Sequence, residues 1–147
     1  MSRRAFVICV LSTVLLGGCQ PATAPREAVN AGGTSEVPAT LVGEWRVAGI
    51  DGRPLAGDRG IAVRIDKTLI AFDPRCLGFV WTYQYRAGAL RTAKWEPERS
   101  DLRCLAPISA EQSALGTAIS ASTRAERTPE NGVLLSGGGH SVLLFSQ

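Results

Sequence analysis

The feature that most constrains the fold is a stretch of strict alternation. Phe79, Trp81, Tyr83 and Tyr85 alternate with Val80, Thr82, Gln84 and Arg86, and a period of two places all four rings on one face of an extended strand. Ala87 and Gly88 then predict a tight turn into a second strand over residues 89–95. The chain holds only nine aromatic residues, so four on one face mark the main core. A groove lined by the same rings is the alternative, and a solvent-open pocket beside Trp45, Trp81 or Trp95 would be its sign.

The same style runs through the rest of the domain. Residues 41–50 (LVGEWRVAGI) end at Asp51 and Gly52, a strong hairpin dipeptide. Ile61, Val63 and Ile65 alternate with Ala62, Arg64 and Asp66, and residues 68–73 continue the pattern. The period then changes. Ser109 can cap a helix, Gln112 can complete a capping box, and Glu111 suits the positive end. Ala114, Leu115, Ala118 and Ile119 form its apolar face. Residues 123–128, 133–135 and 140–145 read as three closing strands, with turns over 129–132 and 136–139. The pattern predicts an α+β domain: a mainly antiparallel β-sheet with one helix packed on it.

The N-terminus reads as an address. Arg3 and Arg4 precede a twelve-residue apolar run over residues 5–16, too short for a bilayer span of about 20 residues. Basic start, apolar run and small residues make a secretory signal. Leu16, Gly17, Gly18 and Cys19 resemble the lipobox of bacterial lipoproteins. That resemblance implies cleavage after residue 18 and acylation of Cys19, giving a membrane anchor in the cell envelope. Gln20 in the next position points to the outer membrane, facing the periplasm. Residues 20–40 carry Pro21, Pro25, Pro38, Gly32 and Gly33 but no aromatic, Leu or Ile, the composition of a flexible tether. The expected organisation is therefore a signal over 1–18, a lipidated cysteine and tether over 19–40, and a folded domain over 41–147.

Loss of Arg3 and Arg4 leaves 14 basic against 13 acidic residues. A near-neutral chain has no general attraction for nucleic acid, so no nucleic-acid partner is expected. Cys9 leaves with the signal and Cys19 takes lipid, so Cys76 and Cys104 remain as an even pair in an oxidising compartment. A structural disulfide is the favoured reading. A metal site lacks ligand number with one distant His140, and a redox pair would more often be Cys-x-x-Cys.

The order of these elements resembles the META domain, or HslJ-like family, of small bacterial envelope proteins. Leu41, Gly43 and Trp45 match its opening L-x-G-x-W strand, and Ile50, Gly52 and Pro54 its next turn. Cys76 and the Cys104-Leu105-Ala106-Pro107 run match its two cysteines, the second leading into Glu111 and Leu115. Residues 133–135 and 142–145 resemble its terminal hairpin. Arg75 and Leu77 depart from the Gly and Asn that many members place around the first cysteine. The resemblance implies a compact antiparallel sheet with a helix laid on it, no defined catalytic activity, and envelope stress as a setting.

The chemistry of enzymes is thin in this chain. His140 follows three glycines, no G-x-S-x-G elbow accompanies it, and its plain reading is an exposed residue at the start of a strand. Asp51, Asp58, Asp66 and Asp73 lack the alternate spacing of a calcium loop and read as turn carboxylates. Glu96 and Glu98 belong to a charged loop. No catalytic residue, metal or cofactor is expected. The leading function is a lipid-anchored envelope module that binds a protein or cell-wall partner. The alternative is a periplasmic inhibitor of a hydrolase such as lysozyme.

Overall fold

A computed structural model describes residues 36–56, 60–75, 78–96 and 107–147, all within one unit spanning Gly32–Gln147. The three cysteines given roles above, Cys19, Cys76 and Cys104, lie outside the described residues, as do the signal and most of the tether.

Among the described residues nine strands and one helix follow in order: β1 (Gly43–Ile50), β2 (Arg53–Pro54), β3 (Ala62–Ile65), β4 (Leu69–Phe72), β5 (Val80–Arg86), β6 (Ala89–Lys94), α1 (Ala110–Ala121), β7 (Arg124–Arg127), β8 (Val133–Gly137) and β9 (His140–Ser146). Every pairing is antiparallel, as expected. The sheet order β1-β3-β4-β5-β6-β7-β8-β9 returns to β1, so the sheet closes into an eight-stranded barrel with β2 as a short flap on β1. Closure was not foreseen from the sequence. It removes the open sheet edges that would otherwise invite pairing with other chains.

Alternation fixes the interior. Register sets Trp45 beside Val63, Val63 beside Phe72, and Ile70 beside Trp81. On the other side Ala125 lies beside Leu135, Leu135 beside Val142, and Leu144 beside Val47. All these side chains are buried in one core. Eight strands enclose a space just wide enough for side chains to fill. Tyr83 and Tyr85 share the inward face of Trp81 but are only partly buried. Their hydroxyls reach out to the carbonyls of Asp66 and Pro38 at 2.6 and 2.5 Å.

The helix plugs one mouth of the barrel. Ser109 accepts from the Gln112 amide at 3.1 Å and the Gln112 side chain accepts from the Ser109 amide at 3.0 Å, the expected capping box. Leu115, Ala118 and Ile119 are buried, each large side chain contributing about 1.5–3 kcal/mol relative to exposure. Around this mouth stand Ile50 of β1, Trp81 of β5, Thr92 of β6 and Gly137 of β8.

The barrel is weakest between β6 and β7, whose strand register holds a single pair, Ala89 with Arg124. Beyond it the strands part, and other segments take up their polar groups. Thr92 donates to the carbonyls of Ile119 and Ser120 at the end of α1. At the opposite mouth the Arg127 amide donates to the Glu36 carbonyl at 2.7 Å, and Tyr85 holds Pro38. Residues 36–38, assigned to the tether by composition, are thus strapped onto the barrel through the carbonyls of Glu36 and Pro38, with Pro38 buried and Val37 lying beside Gly88.

Candidate functional site

With its interior filled, the barrel offers a ligand its mouth. A cleft of about 530 Å³ opens beside α1, lined by Phe79, Trp81, Lys94, Thr117, Ser120 and His140 among others. Lys94 ends β6 and His140 begins β9, strands three apart around the barrel, so two basic groups reach one cleft from different walls.

The aromatic wall is rigid. Phe72 and Phe79 stack with ring centroids 4.3 Å apart, and Phe72 and Trp81 at 5.7 Å, distances at which offset rings attract. Trp81 is 1% exposed, and its indole N–H donates to Ser120 Oγ at 2.9 Å, tying β5 to the helix. Gly116 lets the helix approach this wall: a Cβ there would stand 3.5 Å from the Phe79 ring. The bulk of the rings is therefore core, as expected, while their edges line a cleft.

His140 is held from behind. Asp51 and Gly52 both take left-handed backbone angles in the turn after β1, with φ of 51° and 73°. Pairing of Ile50 with Val142 brings that turn alongside the start of β9. Asp51 Oδ2 lies 3.0 Å from His140 Nδ1, and Asp51 Oδ1 accepts from the Ser141 amide at 2.8 Å. The Ser141 amide first, and His140 second, hold the Asp51 carboxyl below its ordinary value. A proton on Nδ1, facing the carboxylate, leaves Nε2 as the nitrogen available to a ligand. His140 does begin a strand, as read from sequence, but it is half-buried and paired rather than free.

Two of the cleft hydroxyls have structural partners. Thr117 donates to the Ser113 carbonyl at 3.1 Å, and Ser120 accepts from Trp81. A second cleft, about 470 Å³, lies against Ile50, Arg53, Leu55, Glu111 and Ala114. Of the other tryptophans, Trp45 is buried and donates to the Leu41 carbonyl at 2.8 Å, while Trp95 is 44% exposed. Among the described residues, no group of three His, Cys, Asp or Glu side chains is placed to hold a metal ion, and no helix is long and apolar enough to cross a membrane.

Sequence reasoning missed Lys94, Ser120 and the partner of His140. Lys94 ends the strand that pairs with the aromatic stripe, the one signal that could have placed it opposite Trp81. Comparison of the chain with protein-family models, curated proteins and solved structures found no match.

Proposed function

We propose that this protein is a lipid-anchored binding module of the bacterial cell envelope, related to META or HslJ-like domains. In this reading acylated Cys19 holds it in the outer membrane, facing the periplasm, and the cleft beside α1 receives a protein or cell-wall partner without chemical turnover. The observation that carries the reading is the cleft itself. Lys94 and His140 converge there over a rigid aromatic wall, outside a barrel whose interior is already packed. Few convergent polar groups on a preformed, partly apolar cleft are what a binding site needs. Thr117 and Ser120 support binding over catalysis, since the Ser113 carbonyl and the Trp81 indole engage their hydroxyls.

Two measurements test this. Cells fed labelled palmitate should yield labelled protein in the membrane fraction, and Cys19→Ala should abolish the label. Unmodified wild-type protein free in the periplasm would overturn the anchor. A crosslinking pulldown from intact cells should then recover a partner that is lost with Thr117→Glu, which places a longer, negatively charged side chain on the exposed helix face in the cleft. Undiminished recovery with that variant would overturn the site.

A further inference from the structure

We infer that the cleft beside α1 takes an acidic saccharide, a sugar ring bearing hydroxyls and one carboxylate. The inference rests on the proposed reading of this cleft as the binding site, and names the ligand class for it.

Charge is the first argument. Lys94 and His140 line the cleft, and among the described residues no Asp or Glu does. The carboxylate nearest to His140, Asp51, is committed behind the imidazole to Nδ1 and the Ser141 amide. A ligand that meets the Lys94 ammonium must supply the missing negative charge, and it meets His140 through Nε2. The basic groups are one ammonium and one imidazole. Among the described residues no arginine fork and no helix N-terminus lines the cleft, and those are the devices that grip a phosphate from several sides. A single carboxylate suits the one ammonium better.

The hydroxyls are the second argument. Ser120 Oγ accepts from the Trp81 indole, so its own proton is left to donate. Thr117 Oγ1 gives its proton to the Ser113 carbonyl, so its lone pairs are left to accept. The two residues are three apart on one helix and share a side. The helix therefore presents one donor and one acceptor as neighbours, which a ring carrying adjacent hydroxyls can satisfy together. An aliphatic acid would cover both groups without pairing them, at a desolvation cost. Phe79 and Trp81 are buried beneath the cleft, and Gly116 and Ala121 beside them give the apolar C–H face of a sugar something to pack on. A volume of about 530 Å³ lies within the usual range of small-molecule sites.

The test is calorimetric titration of the full lipidated protein in nanodiscs of zwitterionic lipid. Three probes are used: N-acetylmuramic acid, which has ring hydroxyls and a carboxylate; N-acetylglucosamine, its neutral counterpart; and hexanoate, a carboxylate without hydroxyls. The expected result is binding of N-acetylmuramic acid at least about tenfold tighter than either of the others, a difference of about 1.4 kcal/mol. Lys94→Gln should weaken it by a similar factor and reduce the preference over the neutral sugar. Thr117→Val should weaken the sugar acid and leave hexanoate unchanged. Absence of binding, hexanoate or the neutral sugar binding as tightly, or indifference to Lys94→Gln in a variant with an unchanged melting temperature would each overturn the inference. If the titration fails while Thr117→Glu still abolishes capture of a partner in cells, the binding site stands and only the saccharide falls.

Discussion

Asp51 and His140, 89 positions apart in the chain, meet at 3.0 Å where β9 closes the barrel against β1. One carboxylate does two jobs there: it receives the Ser141 amide, clasping the last strand to the first, and it holds the imidazole at the cleft. The seam and the candidate site therefore share a residue.

Acid should open this seam from the carboxylate side. The folded values of Asp51 and Asp66 both lie below the ordinary 3.8, the first through Ser141 and His140, the second through the amides of Thr68 and Leu69. A depressed folded value contributes stability that is complete above the unfolded value and lost as the pH falls through the folded one. Melting temperature should therefore drop as the pH goes below 3.8, and Asp66→Asn should flatten part of that drop. In Asp51→Asn, amide exchange at Ser141 should quicken. A melting temperature independent of pH across this range would contradict the assignment.

Tyr85→Phe should loosen the strap at the far mouth. The hydroxyl donates to the Pro38 carbonyl, and loss of one such bond costs about 0.5–1.5 kcal/mol. Hydrogen exchange should rise at the Arg127 amide, which bonds Glu36, and stay unchanged in β3 and β4. Unaltered protection at Arg127 would show that the strap does not depend on Tyr85.

Much of this fold is written in short-range pattern. The rings of β5, the Asp51-Gly52 and Ala87-Gly88 turns, and the Ser109–Gln112 capping box each depend on residues within a few positions of one another. Closure is different. Pairing of Val47 with Leu144 spans nearly the whole domain, and no local pattern encodes it, because it follows from the accumulated twist and stagger of all eight strands. The Asp51–His140 contact inherits that difficulty. Residues 36–38 were misleading for another reason: their carbonyls accept from Arg127 and Tyr85, and one buried proline with one valine leaves no period that marks the attachment. The two-residue β2 is too short to leave a period.

Gly116→Ala should stabilise the protein. Its Cβ would meet Phe79 at 3.5 Å, an ordinary contact, and φ there is not left-handed. Alanine in place of glycine in a helix interior is worth about 0.8–1.0 kcal/mol. Chemical denaturation reads the gain, and a loss of stability would mean that the helix sits closer to the wall than described.

The cysteine pair should be structural. A Cys76→Ala, Cys104→Ala double variant is expected to keep the fold and melt lower, since loss of a native disulfide in a small exported domain costs about 2–5 kcal/mol. Thiol titration of the unfolded, unreduced protein is the check. Two free thiols in protein purified from the periplasm would reopen the metal and redox readings.

The proposed function places a partner in the cleft beside α1. Site-specific photocrosslinking in intact cells tests this most directly, with the reactive side chain at Thr117 in the cleft or at Gln84 on the outward face of β5. The expected result is a discrete crosslinked species from position 117 and none from position 84. Crosslinking from position 84 alone, or equally from both, would contradict the account.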